Sequence, residues 1–148
     1  MKVGIISDTH NILREEVLQR LNECEYILHA GDFCKYEILE QLEEIAPVYG
    51  VRGNNDKESW AERLPINLVI EINDCKIGMA HEKKDLPQNK GDIDLMIYGH
   101  SHQYDVYTQE NVQYINPGSC GRKRFSLPLS FIIAEIKKDE IVLEKIDL

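Results

Sequence analysis

Short apolar runs, each broken by Asp, Asn, Gly or His, set the rhythm of this chain. In its first third they are Val3-Gly4-Ile5-Ile6, Tyr26-Ile27-Leu28 and Val48-Tyr49-Gly50-Val51. Runs of this length bounded by turn-forming residues predict buried strands. Between them, apolar positions recur at helical spacing: Leu13, Val17, Leu18 and Leu21 within 13–24, then Ile38, Leu39, Leu42 and Ile45 within 36–45. A strand–helix–strand–helix–strand order predicts parallel pairing through crossover helices. Pro47, which has no backbone N–H to give a helix, marks the entry to the third strand.

From Pro65 onward the pattern changes to paired strands. Asn67–Asn73 and Cys75–Ala80 flank a tight turn at Asn73-Asp74, and Gln103–Thr108 and Val112–Ile115 flank Glu110-Asn111. Ser130–Ile136 and Ile141–Ile146 form a third predicted hairpin, turning at Lys137-Lys138-Asp139-Glu140. Leu95-Met96-Ile97-Tyr98 adds another buried run. Antiparallel strands after a βαβ start predict two facing sheets with helices outside. The polar stretch from Glu82 to Gly91, with Pro87 inside it, reads as a loop. No repeat, low-complexity tract or linker divides the chain, so one domain over 1–148 is expected.

Composition narrows the partners. With 43% hydrophobic and 29% charged residues the chain reads as an ordinary globular protein rather than a disordered one. A net charge of −9 argues against nucleic acid, whose backbone draws on clustered Lys and Arg, and against an anionic membrane. A small phosphorylated substrate fits, because bound metal ions can invert local charge. The first apolar stretch ends at Asp8, too short for a signal segment, and no run approaches the roughly 18 apolar residues of a membrane span. Cys24, Cys34, Cys75 and Cys120 lie far apart without C-x-x-C spacing, which predicts reduced thiols and a cytoplasmic protein.

The chemistry sits where the apolar runs stop. Asp8-Thr9-His10, Gly31-Asp32, Gly53-Asn54-Asn55-Asp56, His81 and Gly99-His100-Ser101-His102 each follow one of them. In layered α/β sheets, ligands gather beyond the carboxyl ends of the strands. On an extended segment i and i+2 share a side, so Asp8 with His10 and His100 with His102 are expected to face one site. Asp32 can bridge two cations through its two oxygens, and Asn54 offers a neutral amide oxygen. Hard oxygen with imidazole and no thiolate suits Mn, Fe, Zn, Co or Ni, and does not suit a structural zinc site. Two such ions about 3.5–4 Å apart can polarise a phosphoryl oxygen and hold a bridging water as hydroxide, its pKa lowered from 15.7 to about 7.

Each fragment alone has a plainer reading. Asp8 could cap a helix, the Gly-Asp and Gly-Asn-Asn-Asp segments could be turns, and His81 could be a core histidine. Their order at successive strand ends is what predicts a metal centre. His29, inside an apolar run, is expected in the core or hydrogen-bonded behind a ligand. Asn116-Pro117-Gly118-Ser119 predicts a tight turn supporting the His100/His102 pair. Gly121-Arg122-Lys123-Arg124, the basic cluster of an acidic chain, reads as a solvated loop or, at Arg122, as a substrate-phosphate anchor.

These motifs, in this order from Asp8 to Ser119, resemble the calcineurin-like metallophosphoesterase superfamily, and within it the small YfcE-type phosphodiesterases. The resemblance implies an α/β fold, a four-layer αββα sandwich of two facing mixed sheets flanked by helices. It implies Asp8, His10, Asp32 and His102 on one metal and Asp32, Asn54, His81 and His100 on the other, with Asp32 bridging. Asp32, Asn54, Asn55 and His81 become the candidate catalytic residues, and Asn55 and Arg122 the substrate contacts. Manganese or nickel is the usual activator and bis-p-nitrophenyl phosphate the usual artificial substrate. Two positions depart from the pattern: Asn55 stands where many relatives carry a proton-donating His, and His81-Glu82-Lys83 replaces H-G-H, followed by a short stretch to Gly99. The expected activity is therefore that of a metal-dependent phosphodiesterase, with a homodimer compatible. A non-catalytic interaction module is the first alternative, because the superfamily includes a retromer scaffold subunit with an incomplete metal site. This chain keeps all seven ligand positions. A nuclease is the other alternative, opposed by the net charge.

Overall fold

In the computed structural model, which describes residues 1–124 and 126–148, the first apolar run folds as β1 (Lys2–Ile6) at the centre of a five-stranded sheet. On one side it pairs in parallel with β2 (Tyr26–His29), which pairs in parallel with β3 (Val48–Gly50). The crossovers are α1 (Glu15–Leu21) and α2 (Tyr36–Glu43), each somewhat shorter than the helical pattern in the sequence. The second sheet holds β4 (Asn67–Ile72), β5 (Cys75–Ala80), β6 (Leu95–Ile97), β7 (Asp105–Gln109) and β8 (Val112–Asn116) in the order β4-β5-β6-β8-β7. The last hairpin, β9 (Ser130–Ile136) and β10 (Ile141–Asp147), returns to the first sheet, where β9 runs antiparallel to β1 with Lys2 opposite Glu135. That sheet reads β10-β9-β1-β2-β3.

Alternation along the strands builds two apolar layers. Val3, Ile5, Leu28, Ile132 and Ala134 point between the sheets and meet Ile77, Met79, Leu95, Ile97 and Ile115. Ile6, Ile27, Phe131 and Ile133 point the other way, onto Val17 and Leu21 of α1 and Ile38 and Leu42 of α2. A strand covered on both faces needs apolar residues at every position, which is why these runs are continuous.

The three hairpins form where the turn residues place them, and the two facing mixed sheets are those expected. The outer face of the second sheet is covered differently from the first. Among the described residues no α-helix lies there; Ile93, Met96 and Val112 are buried, with the partly buried Leu86 and Tyr114 packed against them. The polar segment 82–92 crosses this face as a strap whose one regular element is a 3-10 turn at Lys83–Asp85. A second 3-10 turn, Ser59–Arg63, had no signal in the apolar pattern; it sets Trp60 edge-on to Phe33, ring centroids 6.0 Å apart. All four cysteines are free. No helix among the described residues is long and apolar enough to cross a membrane.

Candidate metal centre

β1, β2 and β3 of one sheet and β5 and β6 of the other each end just before a polar motif, and these ends meet. Asp8 and His10 follow β1, Asp32 follows β2, Asn54 follows β3, His81 follows β5, and His100 and His102 follow β6. The segments beyond the strands stay tied together, with Asp8 N donating to the Gly31 carbonyl and His10 N to the Asp32 carbonyl, both at 3.0 Å. The extended i, i+2 geometry expected from the sequence does not operate here. Asp8, His10, Asp32, His100 and His102 have φ of 55°, 46°, 64°, 74° and 65°, in the left-handed region. Such backbone is costly outside glycine, of order 1–3 kcal/mol per residue, and concentrates at functional sites. Asp8 and His10 still share one site, and His100 and His102 line one cavity with His10 and Asp32.

Asp8 is fully buried. Its Oδ2 accepts hydrogen bonds from Ser7 Oγ at 2.6 Å and the His100 backbone N–H at 3.1 Å. Its Oδ1 has no hydrogen-bond partner and faces three imidazoles: Nε2 of His102 at 3.3 Å, of His10 at 3.6 Å and of His81 at 3.9 Å. Asp32 Oδ2 lies 3.4 Å from Nε2 of both His10 and His81. The two Nε2 atoms of His10 and His102 approach to 3.2 Å. Two overlapping sets can each hold a metal ion, Asp8 with His10 and His102, and Asp8 with Asp32 and His81. His100 sits further out; its Nε2 is 3.5 Å from Glu82 Oε1 and its ring stands edge-on to His81. His100 and the exposed Asn54 line a cavity of about 560 Å³ that also contains Asn55, Arg122 and Lys123.

The electrostatics favour a cation at this point. His81 Nδ1 donates to the Ala30 carbonyl at 2.7 Å, which turns Nε2 toward the carboxylates. Burial disfavours charge on this ring, yet the approach of Asp32 Oδ2 to Nε2 and the charges of Asp8 and Asp32 outweigh it and lift its pKa to about 9. Burial likewise pushes the Asp8 carboxyl up, but the His10 and His102 rings close to Oδ1 and the charge of His81 hold it well below the usual range. Asp32 is lowered too: burial opposes, and His81 and Asn55 prevail. Buried atoms without partners, Asp8 Oδ1 and His81 Nε2, thus aim at one another across a space that a divalent ion with oxygen and imidazole ligands fits.

His29 is the histidine that does not join the cluster. Its Nδ1 accepts the Gly31 N–H at 3.0 Å, so Nε2 carries the proton and donates to Thr9 Oγ1 at 3.0 Å. Its ring stacks on Phe33 with centroids 3.6 Å apart. Burial drives its pKa down to about 3 and keeps it neutral. The ring therefore links the residue between Asp8 and His10 to the residue before Asp32.

Asp56 belongs to the site although nothing in its position in Gly-Asn-Asn-Asp set it apart from a turn residue. Its buried carboxylate accepts the backbone N–H groups of Asp32 at 3.0 Å, Gly53 at 2.8 Å and Cys34 at 2.8 Å, fastening the loop of Asp32 to that of Asn54. Asn55 grips the Asp32 carboxylate, its backbone N–H on Oδ1 and its amide on Oδ2, both at 2.9 Å. The Asn116–Ser119 turn supports the histidine motif, with Asn116 Nδ2 donating to the Gly99 carbonyl and to Ser101 Oγ, each at 3.1 Å. Gly99 has no room for a side chain, since a Cβ there would strike Ser7 Oγ and lie 2.7 Å from Asp8 Oδ2.

Residues 1–139 match the model of the calcineurin-like phosphoesterase superfamily domain. The chain is 31% identical to a phosphodiesterase of Methanocaldococcus jannaschii, over 97% of this chain and 100% of the relative. A solved structure described as a novel archaeal phosphodiesterase superposes with a TM-score of 0.80 at 27% identity, covering 100% of both chains. Vps29 of Entamoeba histolytica complexed with Zn superposes with a TM-score of 0.77 at 25% identity, covering 99% of each chain. With the fold, the order of the motifs and the family match in agreement, the chain belongs to the calcineurin-like phosphoesterase superfamily.

Proposed function

We propose that this protein is a phosphodiesterase that works with two divalent metal ions on small phosphorylated substrates. One observation carries the reading: the unpartnered Asp8 Oδ1 and the Nε2 atoms of His10, His81 and His102 converge at 3.3–3.9 Å beside a substrate-sized cavity. Asp8, His10, Asp32 and His102 hold one ion, and Asp32, Asn54, His81 and His100 the other, with Asp32 shared. Bound there, divalent ions, manganese first and nickel, iron, zinc or cobalt as alternatives, supply Lewis acidity and a water acidic enough to ionise near neutral pH. The protein's part is orientation. Asn55 sets the Asp32 carboxylate and presents its amide at the cavity wall. Asp32, Asn54, Asn55 and His81 face the reacting phosphate, and Arg122 anchors the rest of the substrate.

A second reading, protein binding without turnover, draws on the likeness to Vps29. The two separate in one experiment: strip the protein with chelator, reload it with manganese, and measure bound metal and bis-p-nitrophenyl phosphate hydrolysis. Two ions per chain and restored hydrolysis are expected. Asp32→Ala is expected to lose both ions and nearly all activity. Full occupancy with no turnover of any diester would leave the protein-binding reading, and full activity in chelator-treated Asp32→Ala would defeat the two-metal centre.

A further inference from the structure

The basic segment at Arg122 is fastened to the same backbone that carries the first metal ligands. Ser119 Oγ lies 3.0 Å from both the Asp8 and the Arg122 carbonyl oxygens. Cys120 N donates to the Ser7 carbonyl at 3.3 Å, and Arg14 Nη2 donates to the Gly121 carbonyl at 2.7 Å. Gly121 is buried so close to Thr9 that any Cβ would strike the Thr9 carbonyl. The root of this loop therefore cannot shift without moving Asp8. From it Arg122 and Lys123 project as exposed side chains into the cavity wall, with Arg124 beside them, in a chain whose net charge is −9.

Cations placed this way add to whatever handles the scissile group. A diester phosphate carries one negative charge, and Asp32, Asn55 and the metal ligands already surround its place. Elsewhere an acidic surface repels anions, so a fixed basic wall at the mouth focuses attraction on one spot. An Arg fork matches a phosphate by paired hydrogen bonds, and a neighbouring Lys adds a point charge. The cavity, about 560 Å³, has the size of a small-molecule site rather than a polymer groove. Resting on the phosphodiesterase reading, the geometry points to a substrate class: a small, nucleotide-sized phosphodiester that carries a second, non-scissile phosphate, held by Arg122 and Lys123.

The test compares two substrates with the same leaving group on manganese-loaded protein. One is the p-nitrophenyl ester of thymidine 5′-phosphate with a free 3′-hydroxyl, the other the same ester carrying a 3′-phosphate. The 3′-phosphate is expected to raise kcat/KM by about tenfold or more, mainly through KM, as added ground-state and transition-state binding does. The advantage should shrink with added salt. In the double variant Arg122→Gln/Lys123→Gln the ratio between the two esters should fall to about one or below, as charge-assisted contacts to the extra phosphate are lost. A wild-type ratio at or below one overturns the inference while leaving the diesterase reading intact. A tenfold ratio that survives in the double variant overturns it too. No hydrolysis of either ester by the loaded wild type overturns the diesterase reading and this inference with it.

Discussion

Asn55 places an amide where a proton-donating imidazole would change the reaction's scope. It holds both oxygens of Asp32 but cannot act as a general acid. A positioned acid contributes typically 10²–10⁴-fold, most where the leaving group is a poor alkoxide. Aryl diesters are therefore expected to be hydrolysed far better than alkyl monoesters, and Asn55→His should raise kcat/KM for the monoester more than for the diester. Vigorous monoester turnover by the wild type would point to another proton donor. His29 gives a second test at this scale. Its folded pKa, about 3, lies below the ordinary 6.5, so the folded protein binds fewer protons than the unfolded chain between those values. Stability from this ring is full above pH 6.5 and is lost as pH falls toward 3. Chemical denaturation across that window should show a shallower pH slope in His29→Gln than in the wild type. Asp56→Ala, which orphans three backbone N–H groups at about 1–3 kcal/mol each, should lower metal occupancy without removing a ligand. The candidate cluster was legible in the sequence because Asp, Asn and His in that order have few other reasons to follow five strands. Asp56 was not, since an Asp after Asn-Asn is equally a turn residue. Nor were the left-handed φ values of Asp8 and His10, which the fold imposes on residues that do not demand them.

Strands are the elements that the chain announced most clearly, because burial on both faces leaves uninterrupted apolar runs such as 3–6 and 95–98. The turn at Ser59–Arg63 was silent: it is held by Trp60 against Phe33, a contact between residues far apart in the chain pattern. The strap over the second sheet lies between these cases. Its polarity and Pro87 read correctly as irregular chain, but not what pins it. Lys83 lies over the rings of Tyr98, Tyr107 and Tyr114, at 5.5, 4.6 and 5.8 Å from their centroids, and Tyr107 and Tyr114 stack in parallel. A cation over a ring contributes about 0.5–1 kcal/mol where solvent reaches it. Hydrogen exchange should be slow in β1, β2, β5 and β6 and fast along the strap, and Lys83→Ala should speed the strap further with little change in the strands. Strong protection along 82–92 would show that it carries more structure than its single turn. The strap also carries Glu82 to His100, so its loosening should be felt first at that histidine.

For the molecule as a whole, metal and fold are linked by mass action. Ions that bind only the folded chain at 100 times their Kd add about 2.7 kcal/mol. At roughly 2–4 °C per kcal/mol for a chain of this size, each manganese ion bound in this way should raise the calorimetric midpoint by about 5–11 °C over the chelator-treated protein. Equal midpoints would count against a built metal site. The general architecture, two facing sheets with helices outside, followed from the change of pattern at Pro65; that the helices cover only the first sheet and that the last hairpin rejoins it did not, because pairing across the chain leaves no local trace. That pairing has a consequence in time. β1 is completed by β9, with Lys2 opposite Glu135, and Ser119 and Cys120 hold the backbone of Asp8 and Ser7. As the chain is synthesised, Asp8, His10 and Asp32 therefore emerge long before the strand that seats them. Closing so long a loop is the slow kind of folding step. A nascent chain that still lacks β9 offers loose carboxylates and imidazoles but no finished cradle, so the candidate metal centre takes shape only after residues 130–136 have joined the sheet.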